Sequence, residues 1–306
     1  MPSQVTIRRL TASPAESGAI VVSMFLILLN EISTPNVNEW VIIQFQRGYL
    51  RNASVRDLKI IENSKVESLL LADYVRKHFS NLDHLSILEA GCGQSWALDL
   101  NGTDYTLTGI DVDEDALALR MQNSGDLNTA IVGDLRVLDL PAQQFDLIYN
   151  AFVLEHIENA VQVLNNFDRW LKPNGLLILK IPDRDSVYGF LARHSPHWSH
   201  IFYYRHVKQC ENAGKPGFAP YPVVYDDCIS RAGIRDYCKR NNLELVTELG
   251  KNNYIKKRRL SSLMVKYSAM LISLLSLGYL AWQHNDLVFV IRKKSTDTNL
   301  NRHHAF

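Results

Sequence analysis

Ile87-Leu88-Glu89-Ala90-Gly91-Cys92-Gly93 decides the fold of this chain: an apolar run ends in an acid and passes into two glycines flanking one residue. Three further runs stop in the same way downstream, Leu107-Thr108-Gly109-Ile110-Asp111, Ala130-Ile131-Val132-Gly133-Asp134 and Phe145-Asp146-Leu147-Ile148-Tyr149-Asn150. Each reads as a buried strand ending in a small or polar residue. Glycine lacks a Cβ, so the turn after the first strand can bend sharply and let backbone N–H groups touch a ligand. Asp111 ends the second strand about twenty residues further on, where a carboxylate can accept both hydroxyls of a ribose. The array points to a nucleotide-like ligand.

The third glycine position of a G-x-G-x-x-G loop is Trp96 here. An indole there obstructs the close backbone approach that a pyrophosphate needs at a helix N-terminus, which argues against a dinucleotide. The combination of Glu89, Gly91, Gly93, Asp111 and Gly133-Asp134 resembles the class I S-adenosylmethionine-dependent methyltransferases. The resemblance is close from Leu85 to Pro182 and looser to about Lys294; Phe152-Val153-Leu154-Glu155-His156-Ile157 matches the segment after the family's fourth strand. It implies that Gly91 and Gly93 wrap the amino-acid part of the cofactor and that Asp111 holds the ribose. Asp134 and Leu135 would address the adenine, and Glu89 would support the glycine loop. Asn150 and Ala151 would face the reacting methyl; Ala90, Cys92, Val112 and Gly133 complete the implied cofactor set. Taken singly, Asp111 and Asp134 also read as helix N-caps, and His156 as a residue that holds its loop by hydrogen bonds.

Periodicity supplies the architecture. Ser64 to Phe79, Asp113 to Asn123, Asn159 to Leu171 and Ser230 to about Arg240 read as helices, the second with acids in its first turn. Lys172-Pro173-Asn174-Gly175 reads as a turn, with Gly175 supplying a positive φ, before a strand from Leu176 to Ile181. Leu243 to Leu249 and Asp286 to Ile291 read as the last strands. Alternating strands and helices give an α/β, doubly wound, mostly parallel sheet with helices on both faces. The resemblance implies the seven-stranded Rossmann-like methyltransferase form, whose last two strands pair as a hairpin. A length of 306 residues with 46% apolar content fits one large core better than two. We expect an N-terminal arm at 1–45, a methyltransferase domain at 46–295 and a disordered tail at 296–306.

Two insertions depart from the pattern. Residues 182–228 lose the alternation and crowd aromatics with histidines, and they leave the carboxyl end of a strand, where open α/β sheets bind ligands. We read this segment as an acceptor pocket or lid, with His200, Tyr203 and His206 as candidate catalytic residues. His194, His197 and His200 suggest a metal at first sight, but Pro196 breaks the helix that would align them, so no metal is expected. Gly214-Lys215-Pro216-Gly217 lacks the Ser or Thr that a phosphate loop places after its lysine.

Residues 251–284 separate the last two strands with a basic run, Lys256-Lys257-Arg258-Arg259, followed by an apolar stretch from Leu260 to Trp282. On a helix, Ser262, Lys266, Ala269, Ser273 and Ser276 form a thin small or polar stripe in a wide apolar surface, the pattern of a helix lying in a membrane interface. Its uncharged run is too short to span a bilayer, and spanning would strand the last strand on the wrong side. The alternative is a helix buried against the domain or a second copy. A further apolar stretch, Gly18 to Leu29, follows Arg8 and Arg9 without a cleavage site before Glu31, so it reads as a second membrane-contacting arm or as an overlong start with Met24 as the true one.

A net charge of +1 leaves no nucleic-acid footprint, and Cys92, Cys210, Cys228 and Cys238 form no C-x-x-C pair. The expected protein is cytoplasmic, with peripheral contact at the inner face of the cell membrane. Its expected reaction is transfer of a methyl group from S-adenosylmethionine to a hydroxyl or amine of a small or lipid-linked acceptor. The rival readings are an NAD(P)-dependent oxidoreductase and a noncatalytic membrane-attached binding module.

Overall fold

The computed structural model describes residues 58–295 apart from 94, 207–208, 215–219, 222, 225, 255–259 and 277. The expected N-terminal arm with Met24, the basic run 256–259, the glycine-lysine loop at 215–217 and the tail at 296–306 lie outside the described residues.

Eight strands form one sheet: β1 Lys59–Ile61, β2 Leu85–Ala90, β3 Tyr105–Asp111, β4 Thr129–Val132, β5 Phe145–Ala151, β6 Leu171–Pro182, β7 Leu243–Lys251 and β8 Asp286–Lys293. Their order is β1-β7-β8-β6-β5-β2-β3-β4. All neighbours are parallel except β8, which runs antiparallel to both β6 and β7. The expected doubly wound sheet is therefore present, with one strand more. β1 is three residues long, too short to carry a period, and lengthens the β7 edge in parallel.

The described helices are α1 Ser64–His78, α2 Glu114–Asn123, α3 Ala160–Trp170, α4 Val187–His194, α5 His197–His206, α6 Arg231–Arg240 and α7 Leu260–Leu275. Short side-chain acceptors start several of them: Asn63 caps α1, Asp113 caps α2 and Ser230 caps α6. Strands covered on both faces read as continuous apolar runs, because alternate residues feed opposite cores. Leu88, Ile148 and Phe289 pack with Phe167 and Trp170 of α3 on one face. Ile87, Leu147 and Val290 pack with Leu71 and Val75 of α1 on the other.

The turn before the main part of β6 forms differently from the expectation. Asn174 takes the positive φ of 62°, and Gly175 does not. Gly175 is instead a position of close approach, since a Cβ there would lie 2.8 Å from Leu171 Cγ and 2.9 Å from the Asp146 carbonyl.

The chain leaves β2 toward β4 and returns at β5, so the strand order reverses between β2 and β5. Ligands of such sheets sit outside the carboxyl ends at this switch point. Ala90 is in register with Asn150 there, which brings the glycine loop beside the segment that follows β5.

Candidate active site

The glycine loop is tied to the end of β3. Gly91 N–H donates to the Ile110 carbonyl at 2.8 Å, and Gly93 N–H donates to Asp111 Oδ2 at 2.8 Å. Asp113 N–H donates to Asp111 Oδ1 at 3.0 Å. Asp111 thus positions the loop as well as closing the strand, and the N-cap of α2 is Asp113, not Asp111. A carboxylate offers about four acceptor sites, so two remain for a diol. Gly91 has φ +71°, and a Cβ on it would lie 2.2 Å from Val153 Cγ2; around Gly93, at φ +50°, nothing lies within 4 Å. Val112 beside Asp111 is exposed and offers an apolar platform.

Glu89 supports this loop through an arginine that the sequence reading missed. Arg120, fully buried on α2, pairs with Glu89 at 2.7 Å, makes a bidentate pair with Asp126 at 3.0 and 2.8 Å, and donates to the Cys92 carbonyl at 2.7 Å. Burial pushes the Glu89 carboxyl up to about 8, with the guanidinium pulling the other way. Arg120 lies three residues after Leu117, on the buried face of its helix.

The remaining implied cofactor residues divide. Asn150 is buried and donates through Nδ2 to the Ala90 carbonyl at 2.8 Å, locking β5 to β2. Asp134 is engaged by Arg136, whose Nη2 lies 2.6 Å away and holds the carboxyl below its usual range. Leu135 is packed in the core, and its carbonyl accepts from Asn166 Nδ2 at 2.8 Å. Trp96 stacks edge-on against Tyr149 at 5.5 Å, and the stretch 95–100 forms no helix, so no helix N-terminus awaits a pyrophosphate behind the loop.

Next to this edge opens a cavity of about 1670 Å³, lined by Phe152, Glu155, His156, His200, Tyr203 and Tyr221, among others. The two regions meet through the segment after β5. Val153 abuts Gly91, while its neighbour Phe152, at a strained φ of +59°, lines the cavity. Tyr221 lines the cavity within the field of the cofactor edge: burial and the charges of Asp113 and Asp111 all push its hydroxyl up.

His200 and Tyr203 line this cavity as expected of the aromatic insertion, whereas His206 does not and packs on Phe202 instead. His200 Nε2 lies 2.9 Å from Ser195 Oγ. His194 is bound to the Phe190 carbonyl at 2.8 Å, so it and His200 are turned to different partners. His156 makes an edge contact with Tyr221 at 5.8 Å.

Two cavity carboxyls were not anticipated. Glu155 is buried, its Oε2 has no partner among the described residues, and burial pushes it up to about 8. Asp286, held by Asn285 and Asn253, is pushed up to about 6, again chiefly by burial. Glu155 sits in a motif we read only as matching a family segment, and burial of an acid leaves no trace in a single sequence. Its folded pKa lies above its unfolded value, so it contributes stability that is complete below pH 4.5 and is lost as pH rises through 8. Glu155→Gln is expected to flatten the fall of unfolding free energy between those limits, a slope of up to about 1.4 kcal/mol per pH unit. Denaturant titrations across the range measure it; identical slopes would mean that Glu155 ionises normally.

Residues 88–179 match the family model described as "Methyltransferase domain". A ubiquinone biosynthesis O-methyltransferase of Rickettsia canadensis is 27% identical over 121 residues, 37% of this chain and 50% of that protein. A probable S-adenosylmethionine-dependent methyltransferase of Mycolicibacterium smegmatis is 30% identical over 99 residues, 32% of this chain and 38% of that protein. The chain thus spans about half the length, or less, of these curated relatives. A solved S-adenosylmethionine dependent methyltransferase from Mesorhizobium loti aligns with a TM-score of 0.42 at 16% identity, covering 72% of this chain and 96% of that one. Residues 88–179 thus match a methyltransferase domain, and the strand order and glycine edge are those of the class I S-adenosylmethionine-dependent resemblance. S-adenosylmethionine is its cofactor, and the open space at Gly93, the residual acceptor capacity of Asp111 and the exposed Val112 fit it.

Proposed function

We propose that this chain transfers the methyl group of S-adenosylmethionine to a hydroxyl or amine of a small or lipid-linked acceptor held in the cavity beyond β5. The observation that carries this reading is the adjacency of Gly91 and Phe152 through Val153, which sets the cofactor edge and the cavity on either side of one segment. Bound there, the cofactor supplies an activated sulfonium methyl. The chain's own task is to position the acceptor and exclude water, and well-oriented approach alone supplies about 7 to 11 kcal/mol. A base adds typically a hundred- to ten-thousand-fold. Among the cavity groups, His200 and the ionised form of Glu155 would take the acceptor's proton, and the Tyr203 hydroxyl would hydrogen-bond the acceptor. The names of the Rickettsia relatives favour an oxygen acceptor, and the cytoplasm, at the inner face of the membrane, is the proposed location.

The test is incubation with radiolabelled methyl donor and a membrane extract, followed by separation of lipid, polysaccharide and protein fractions. Label in an extractable small or lipid fraction is expected; cofactor binding without transfer to any fraction would leave a binding module instead. Asp111→Ala removes both a diol acceptor and the anchor of Gly93. It is expected to weaken cofactor binding by at least the 1.5 to 3 kcal/mol, roughly, of a charged hydrogen bond. Calorimetry reads this directly, and unchanged affinity would remove the ribose assignment.

A further inference from the structure

We infer that the outer face of α7 docks on an anionic lipid surface and that the acceptor cavity opens beside it, so that the acceptor is an amphiphile taken from the membrane. For the acceptor this rests on the methyltransferase reading; the docking surface stands independently of it.

The structure shows which face of this helix meets the protein. Ser262, Ala269, Ser273 and Ser276, the thin stripe, are buried against the protein. Ser273 Oγ donates to the Leu280 carbonyl at 2.7 Å, and Ser276 Oγ accepts from Leu280 N–H at 3.1 Å. Small residues let the helix sit close to the domain while its large side chains point away. Leu263, Met264, Tyr267, Leu271, Leu274 and Leu275 are all exposed, Leu274 at 71%. They recur at helical spacing, so they form one continuous apolar face, and soluble monomers rarely leave such a patch bare.

Charge selects the occupant. Between Lys256 and Trp282 the sequence holds the cations Lys256, Lys257, Arg258, Arg259 and Lys266, and neither Asp nor Glu. An anionic bilayer matches both features, at about 1 kcal/mol per cation near the surface. The uncharged segment Gly18 to Leu29 would cover the apolar face and leave the cations unmatched.

The cavity opens along the protein-facing side of α7, next to that apolar face. Lys266 and Trp282 both line it, with Lys266 Nζ 5.7 Å from the Trp282 ring centre. A cation and an indole are the side chains that settle at a membrane–water boundary. An acceptor with its tail in the bilayer along α7 would place its polar end past this rim, toward Tyr203 and Glu155.

The test is co-sedimentation of the full chain with vesicles of phosphatidylcholine alone or with about one third phosphatidylglycerol. Binding to the anionic vesicles is expected, weakened at least tenfold without phosphatidylglycerol or at about 0.5 M salt. Leu271→Asp with Leu274→Asp should abolish it while S-adenosylmethionine affinity, read by calorimetry, stays unchanged, which also shows that the variant folds. Failure of the wild type to bind, or binding that survives the double substitution, overturns the inference. So does a dimer in sedimentation equilibrium that the double substitution splits without any vesicle binding, which assigns the face to a second copy. Vesicle binding by a chain that shows no affinity for S-adenosylmethionine would sink the methyltransferase reading and leave the docking surface standing.

Discussion

Gly91→Ala is expected to lower S-adenosylmethionine affinity by about two orders of magnitude, the largest effect of any single methyl group in this protein. Two costs add. The residue sits at φ +71°, where an L side chain costs about 1 to 2 kcal/mol, and its new Cβ would meet Val153 at 2.2 Å, an overpacking of about 1 to 3 kcal/mol. The strand ends on either side are fixed by pairing with β3 and β5, so the loop is what yields. Gly93→Ala carries the backbone cost at φ +50° and meets no protein atom, but its Cβ would enter the open space assigned to the cofactor, so its loss arises on binding and not from collision with Val153. Adding Val153→Ala to Gly91→Ala should restore part of the affinity. Calorimetry on the four proteins separates strain from collision, and an unaltered Gly91→Ala affinity would mean that the cofactor does not use this loop.

The second large effect concerns stability. Arg120→Met removes the partner of a buried Glu89, both bonds to Asp126 and the donor to the Cys92 carbonyl in one step. Above pH 8, where the buried Glu89 is ionised, breaking one side of this ion pair costs about 3 to 5 kcal/mol, because the remaining charge is left without compensation; at lower pH Glu89 takes a proton and the loss is smaller. A urea titration should show that loss as a lower midpoint at similar slope. Arg120→Met with Glu89→Gln should recover part of it, since the amide no longer carries a charge to bury. A loss under about 1 kcal/mol, the range of exposed pairs, would mean that this network does not hold the loop.

These two positions mark how far the sequence could be read. Gly91 was legible because backbone geometry restricts residue type: only glycine serves both the turn and the close approach, so its place after an apolar strand carries meaning by itself. The strand ends at Asp111 and Asn150 were legible for the same reason, and the sheet followed from them. Arg120 was not, because an arginine in a helix usually faces water, and only its partners show that it is buried. Glu155 escaped similarly: the matched segment named it, but nothing local says that its carboxyl is buried and borders a cavity. α7 shows a third kind of limit. Periodicity found its two faces correctly, while which face meets the protein depended on close packing at Ser262, Ala269, Ser273 and Ser276. β1 was lost simply because Lys59-Ile60-Ile61 is too short to show a period.

Calorimetric titration of the whole chain with S-adenosylmethionine, and in parallel with NADH, tests the central claim most directly. Saturable binding of S-adenosylmethionine at one site, abolished or strongly weakened in Asp111→Ala and Gly91→Ala, with no heat from NADH, is the predicted result. Saturable NADH binding without any for S-adenosylmethionine would contradict it.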